Sequence, residues 1–464
     1  MKYFIITFGC QMNRSDSERL ATILGESGYQ KTDEIKKADL VAIVSCSVRQ
    51  MAVDRVYGAI RNIRKENISP RLTRLGREKT KIIITRCLPE KDKKKLAKEV
   101  DLIFEIKNLN KLPKLLEIRN LKLKIGEYLG IKPKYSTFPV AYVPIMTGCD
   151  NFCTYCVVPY TRGHEVSRNA SDILQEIREL IKKDYKEIVL LGQNVNSYGI
   201  KHENETNTNT KSTKNINFAK LLRMVNDLPG NFWLTFISSH PKDLSDELIE
   251  TMAQCEKLML YLHLPVQAGN DEVLRRMNRH YTVAHYKRLI RNIRDKISMI
   301  SVSTDIIVGF PGETKKQFAD TAKLMREIKF DMAYLAKYSP RPGTTAWHLP
   351  DNVSAQEKEK RWQTLSEILK KTALENNKKY LGKIIEVLIT ESRIRNNESG
   401  IFLGQTKSFK NVKVQDLRFP PKAACPPTGG DQPRAGKIKK NNLVGKFVKV
   451  KITKVIPWGL EGIL

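Results

Sequence analysis

No stretch of the 464 residues approaches the ~20 consecutive apolar positions that a bilayer-spanning helix requires. The opening Met1–Cys10 is interrupted too early for the apolar core of a secretory signal, so the expected compartment is the cytoplasm. Acid is in short supply: 50 Asp and Glu face 81 Lys and Arg, a formal net charge of +31. Such an excess suits a polyanionic partner, nucleic acid being the commonest, although a lysine-rich composition alone also produces it. Cysteine is scarce, with eight in the chain. In a reducing compartment, cysteines serve metals or catalysis more often than disulfides. The length suffices for two or three domains with separate cores.

Three of the eight cysteines fall within Cys149-Asp150-Asn151-Phe152-Cys153-Thr154-Tyr155-Cys156, separated by three and then two residues. Soft thiolates at such short spacing suit iron–sulfur or zinc. A closed structural zinc takes four ligands, and the nearest further candidate, His164, lies eight residues on. Three cysteines on a four-iron cluster leave one iron open to a ligand from elsewhere. Three buried core cysteines are the plain alternative, and the loop residues Gly148, Asp150 and Asn151 speak against it.

Periodicity organises the rest of the chain. Over residues 1–106, strand-like Tyr3–Phe8, Asp39–Val44, Lys81–Thr85 and Asp101–Ile106 alternate with helical Asp16–Glu26, Val48–Lys65 and Glu90–Val100. The order predicts an α/β domain at 1–116 with a parallel sheet. Cys10, Cys46 and Cys87 follow the first three strands, on the sheet edge where open α/β folds bind ligands. They read either as a second three-thiolate site or as unrelated strand-end cysteines. Residues 117–140 read as a linker.

From residue 141 the pattern restarts, with strand-like Ala141–Met146, Glu187–Leu191, Phe232–Ile237, Leu258–Leu264, Ile300–Ile307 and Met332–Tyr338. Helical segments lie between them, and six β/α units over 141–378 predict a partial (β/α)6 barrel with its site at the strand C-terminal ends. Cys149–Cys156 falls at such an end. Residues 379–464 turn to short β runs that predict a small β-barrel. Residues 378–464 carry 18 Lys and Arg against 6 Asp and Glu, which suits phosphate contacts or a solvated basic surface. Residues 201–217 and 417–437 read as polar or Pro/Gly-rich insertions, and Cys425 in the second has no ligand-type neighbours.

With Tyr155 as the aromatic before its last cysteine, the Cys149–Cys156 motif resembles the radical S-adenosylmethionine (SAM) enzymes. Gly9-Cys10-Gln11-Met12-Asn13, Cys46-Ser47-Val48-Arg49, Cys156–Gly163, Leu191–Asn196, Ser239–Lys242, Leu264–Gln267 and Gly309–Thr314 resemble the methylthiotransferase family among them. The resemblance covers essentially the whole chain. Its first two stretches look most like the branch acting on isopentenylated adenosine. It implies methylthiolation of C2 of N6-isopentenyladenosine at position 37 of tRNA. Two [4Fe-4S] clusters are implied, one on Cys149, Cys153 and Cys156 that cleaves SAM to a 5′-deoxyadenosyl radical. The other, on Cys10, Cys46 and Cys87, would carry the sulfur. Two SAM molecules per turnover, an electron donor such as flavodoxin or ferredoxin, and a sulfur source follow from the same resemblance. The last barrel is similar to the RNA-binding TRAM domain, and a monomer meeting the tRNA anticodon loop is expected. Arg86, Ser45 and Ala268 stand where the family usually has glycine, threonine and serine.

Tyr155, Gly192, Gln193, Asn194, His240, Gln267 and Asp305 are the candidate SAM or base contacts. All but Tyr155 also have a plainer reading: a Gly-Asn turn, loop hydrogen bonds, or for Asp305 a salt bridge that makes its burial tolerable. Arg162 and Arg168 read as tRNA-phosphate contacts or as surface charge, and Cys255 as a core cysteine. Two further functions fit the pattern. One is a methylthiotransferase acting on threonylcarbamoyl-adenosine or on a ribosomal-protein aspartate, the other a non-catalytic iron–sulfur tRNA-binding protein.

Overall fold

In the computed structural model, which describes residues 1–45, 50–67, 80–86, 94, 96–117, 127–200, 216–392, 400–417 and 443–464, three units pack in sequence. Cys46, Cys87, Cys425, residues 90–93 and 95 of the expected helix Glu90–Val100, and nearly all of both insertions lie outside the described residues. The first unit is one parallel sheet: β1 (Lys2–Phe8), β2 (Gln30–Lys31), β3 (Leu40–Ser45), β4 (Lys81–Arg86) and β5 (Leu102–Phe104), in the order β2-β1-β3-β4-β5. β2 was not expected; two residues show no periodicity. The unbroken apolar run of β3 follows from burial on both faces. Leu40, Ala42 and Val44 enter one core, Val41 and Ile43 the other.

The register sets Phe8 beside Ser45, and Ser45 beside Arg86. Neighbouring strands lie ~4.8 Å apart, so the chain leaves this edge three times within a short arc. After β1, Gly9 takes φ 135, a value that side chains rarely allow, and Cys10 caps the helix α1 (Gln11–Glu26).

The second unit holds β6 (Val140–Pro144), a two-stranded ribbon of β7 (Met146–Thr147) and β8 (Val166–Ser167), and then β9 (Glu187–Leu191), β10 (Trp233–Phe236), β11 (Tyr261–His263), β12 (Ser301–Val308) and β13 (Met332–Lys337). The six main strands form two parallel trios, β10-β9-β6 and β11-β12-β13, joined by a Leu234–Leu258 bridge. Helices Ala170–Lys182, Phe218–Asn226, Asp246–Gln254, Val283–Lys296 and Lys315–Ile328 cover the outside. Their apolar stripes, Ile173, Ile177, Leu222, Ile290 and Met325 among them, bury Ala141, Val143, Ile188, Leu190 and Val302. Asn217, Ser245, Thr282 and Thr314 cap four of these helices through their side chains, each cap contributing ~1 kcal/mol. The short helix Asp271–Arg276, behind its Asn270 cap, is too brief to have shown a period. The opposite faces of β6 and β9 meet Met12 of α1. The first unit's leading helix therefore lies against the open side of the partial barrel.

The long helix Ala355–Lys378 leads to the third unit, a closed barrel ordered β14-β15-β16-β18-β17, with β14 (Ile384–Ser392), β15 (Ile401–Thr406), β16 (Asn411–Gln415), β17 (Phe447–Ile456) and β18 (Gly459–Ile463). It docks where the strands of the partial barrel begin. Phe409 stacks on Tyr261 at 4.2 Å, Phe447 meets Trp233 at 4.8 Å, Lys410 pairs with Asp331 at 2.6 Å, and Gln405 donates to Glu187.

Candidate active site

The cysteine loop is an excursion that the β7–β8 ribbon opens and closes. Gly148 has φ +86, and a Cβ there would meet the His164 carbonyl oxygen at 1.8 Å, so no larger residue fits. Gly148 N donates to Gln193 Oε1 at 2.6 Å, and Cys149 N donates to the Gly163 carbonyl at 3.2 Å. Across the loop, Asp150 N donates to Glu165 Oε1 and Glu165 N returns to Asp150 Oδ2 at 3.1 Å. Glu165 Oε2 accepts from Ser197 Oγ at 2.6 Å. The far side is pinned by the 276–279 segment: Thr154 donates to the Met277 and Arg276 carbonyls, and Asn278 Nδ2 to those of Asn151 and Phe152.

Cys153 is buried while Cys149 and Cys156 are partly so, and none of the three is in a disulfide. Burial pushes the Cys149 thiol up to about 11, against the smaller lowering by hydrogen bonds from Asn151, and raises Cys156 as well. Unmetallated, these two are protonated thiols, and a metal must displace the protons to bind. Among the described residues, Arg279 is the cation in contact, with Nη1 3.5 Å from Cys153 Sγ.

The other expected residues sit at or near the strand-end rim. Gly192 packs so closely on Met146 that a Cβ would stand 2.7 Å from its Cγ. Gln193 holds the cysteine loop through Gly148. Asn194 Nδ2 donates to Asp243 Oδ2 at 2.8 Å, but its buried Oδ1 has no partner among the described residues. His240 accepts from Lys242 N at Nδ1, and its buried Nε2 is likewise unmet. Burial, and then the positive charge of Arg279, lowers His240 to about 2, so the ring is neutral. Gln267 stands at φ 70, an uncommon conformation for a side-chain-bearing residue, bridged to β12 by backbone bonds with Asp305 and Ile307. Asp305 Oδ2 lies 3.5 Å from His263 Nε2, and His263 Nδ1 is 2.8 Å from Ser303 Oγ. Tyr155 lies against the buried cluster of Ala268, Phe310, Tyr338 and Ala346.

Cys10 is exposed at the start of α1. Two turns on, Asp16 accepts from Arg162 Nη2 at 2.7 Å and from the Tyr128 hydroxyl, with both partners of the ion pair buried. Arg162 ends the helix Val158–Arg162 that follows Cys156. The helix behind Cys10 and the helix behind Cys156 are thus joined by a buried ion pair. Arg168 is likewise interior, bound to the Pro144 carbonyl and Glu176. Neither arginine is a surface phosphate contact, contrary to one reading of the sequence. Arg279, Tyr281, His263 and Glu165 were not anticipated. For Arg279 and Tyr281 the signal was a dense polar stretch, Asn278-Arg279-His280-Tyr281, between a helix and its successor; His263 and Glu165 stand in no such stretch.

The Radical SAM superfamily matches over residues 143–325, and Uncharacterized protein family UPF0004 over residues 2–105. A tRNA-2-methylthio-N(6)-dimethylallyladenosine synthase from Acetivibrio thermocellus is 40% identical over 477 aligned positions, spanning 99% of this chain and 90% of its own. The chain belongs to this synthase family. The family member from Caldicellulosiruptor saccharolyticus is 42% identical, over 89% of this chain and 87% of its own. Among solved structures, the radical S-adenosylmethionine methyltransferase TsrM from Kitasatospora setae, with tryptophan substrate and a SAM analogue bound, superposes with a TM-score of 0.52. Its identity is 12%, over 79% of this chain and 89% of that one. That likeness is one of fold.

Iron–sulfur clusters and SAM are the groups this family implies; Cys149, Cys153 and Cys156, free and on one loop, fit the first cluster, while of the second triad only Cys10 is among the described residues. Three free thiols on one loop, two of them partly exposed, suit separate irons of one cluster. Asn194 Oδ1 and His240 Nε2 present a buried acceptor and a buried donor on the rim. Each costs ~1–3 kcal/mol if left unmet, and a ligand with an amino and a carboxylate group offers partners for both.

Proposed function

We propose that this enzyme inserts a methylthio group at C2 of N6-isopentenyladenosine at position 37 of tRNA. The observation that carries this reading is the 40–42% identity, over most of both chains, to synthases of that name. Three functional units are assigned: 1–116 with Cys10, Cys46 and Cys87 for a sulfur-carrying cluster, 141–378 with Cys149, Cys153 and Cys156 for the radical cluster, and 379–464 for RNA. Held by Cys149, Cys153 and Cys156, a cluster with SAM would supply radical hydrogen abstraction directed at C2, and a second SAM would supply the methyl group.

The chain's own residues do the holding. Gln193, Asn278 and Glu165 fix the cysteine loop, while Asn194 and His240 orient SAM, with Gln267, Asp305 and Tyr155 completing its surroundings. Adenine C2 faces the minor groove and is reachable only in an unpaired or flipped base, which an anticodon-loop purine satisfies. Phosphate contacts from the basic C-terminal barrel, taken as a TRAM domain, position the loop without reading its sequence. The setting is cytoplasmic and the chain a monomer, served by a flavodoxin- or ferredoxin-type donor and a sulfur source. Among the described residues no helix is long and apolar enough to cross a membrane.

The test is anaerobic. Reconstituted enzyme with isopentenylated tRNA should yield 5′-deoxyadenosine and the methylthio nucleoside. Cys153→Ala should lose both products, and Cys87→Ala only the second. Methylthiolation of threonylcarbamoyl-adenosine in place of isopentenyladenosine would overturn the substrate, and equal loss of SAM cleavage in both variants would overturn the division of roles.

A further inference from the structure

Arg279 is a buried cation with no carboxylate to answer it. Its Nη2 donates to the Pro265 carbonyl at 2.7 Å and its Nε to the Tyr281 hydroxyl at 2.9 Å, while Nη1 faces Cys153 Sγ at 3.5 Å. Tyr281 passes the bond on to the Val266 carbonyl at 2.9 Å, with its ring 5.1 Å from the guanidinium carbon. Among the described residues these are its polar partners. A charge taken from water costs several kcal/mol unless an opposite charge meets it. One carbonyl and one phenol, whose burial disfavours ionisation, give a partial answer, and among the described residues the Cys153 sulfur is the contact that a bound metal would hold as an anion. Two anchors hold the planar fork in place, so the charge cannot swing out to solvent. Three thiolates around a four-iron core make a net-negative site, which becomes more negative on one-electron reduction. A fixed cation and an N–H···S contact both favour the more negative state.

We propose that Arg279 is the built-in counter-ion of the cluster on Cys149, Cys153 and Cys156, and that it sets how readily that cluster accepts an electron. The inference rests on the radical-cluster assignment made above. The step concerned moves one electron from a low-potential one-electron carrier into the core, with no atom transferred and no bond broken. Arg279 acts through the cluster and is a positioning residue, tied through Tyr281 to His240, whose ring stands edge-on to Tyr281 at 5.6 Å.

The experiment uses the full chain carrying Cys10→Ala, Cys46→Ala and Cys87→Ala, reconstituted anaerobically so that one cluster remains. Redox titration against dithionite-poised dyes is followed by electron paramagnetic resonance. Arg279→Gln should lower the equilibrium constant for reduction tenfold or more, a midpoint at least ~59 mV more negative for one electron. Arg279→Lys, which keeps the charge, should retain most of the original midpoint. If the parent chain takes up no iron, the triad assignment falls and this inference with it. If the cluster forms and Arg279→Gln leaves the midpoint unmoved, even with SAM binding abolished, only the inference falls. Equal shifts in the glutamine and lysine variants would point to packing and also overturn it. Should Arg279→Gln fail to hold iron, parent chain labelled with 15N-arginine decides: the reduced cluster should show a 15N hyperfine coupling in pulsed spectra, and its absence overturns the proposal.

Discussion

His240 shows how much one side chain says about what it awaits. Its Nδ1 is spent on Lys242 N and, among the described residues, its Nε2–H has no partner, although the ring is buried. His240→Phe keeps the ring volume and removes the donor. SAM should then bind about tenfold more weakly by calorimetry on reconstituted protein, the worth of one hydrogen bond. Thermal stability should hold, since the bond from Lys242 is the only native one removed. The pH dependence has a definite sign. A folded-state value near 2 against an ordinary 6.5 means that folding excludes the proton. The stability this gives is present above pH 6.5 and is lost as pH falls below it, by at most ~1.4 kcal/mol per unit. The phenylalanine variant should therefore unfold less steeply with acid between pH 6.5 and 4. Of the rim residues, Asn194 and His240 were legible from their strand-end positions. Arg279 was not, because it lies 126 positions from Cys153 and only folding makes them neighbours.

Between elements, the decisive contact is Asp16–Arg162. It joins α1, which starts at Cys10, to the short helix that follows Cys156. Removing one partner strands the other in the interior, at ~3–5 kcal/mol. Asp16→Ala and Arg162→Ala should each lower the unfolding midpoint by that measure in denaturant titrations. Asp16→Leu with Arg162→Met should recover most of the loss, short of what the Tyr128 hydroxyl then lacks. Equal stability of the single and double variants would show that the pair contributes shape alone. Element identity was largely readable: strands of five or six apolar residues and helices with a clear apolar stripe announce themselves. The two-residue β2 and the six-residue helix Asp271–Arg276 fell below the length at which a period exists.

At the scale of the molecule, the C-terminal barrel sits under the strand starts and the cysteine loop lies over the strand ends. The barrel strands alone separate them by ~17–20 Å. An RNA held by both must run along the flank. Lys446, Lys449, Lys451 and Lys454 are exposed in and just before β17. Replacing Lys449 and Lys451 by alanine should weaken tRNA binding and lower the slope of log K against log salt by ~1 for each phosphate no longer neutralised. Binding of SAM should not change. The docking itself carries a pH signature. Burial lifts the Glu187 carboxyl to about 8, with the Gln405 hydrogen bond working the other way. A value raised above the ordinary 4.5 means that the folded state keeps the proton. The stability this gives is complete below pH 4.5 and is lost as pH rises towards 8. Glu187→Gln mimics the protonated form, so melting curves should show it gaining on the parent from pH 5 to 8, by several kcal/mol at the upper end.

The chain's local chemistry determined the three folding units and the cysteine spacing, because periodicity and short-range ligand sets are properties of neighbours in sequence. It also placed Cys10, Cys46 and Cys87 at strand ends, and the parallel register carries the residues before the last two abreast of β1. The tertiary structure decided which charges go inside. Arg162 and Arg168 read as tRNA-phosphate contacts or surface charge, yet Arg162 is buried and Arg168 mostly so, each paired with a carboxylate. Asp305, ambiguous alone, found His263. The sign and cost of a buried charge depend on what faces it, and only the folded chain supplies that partner.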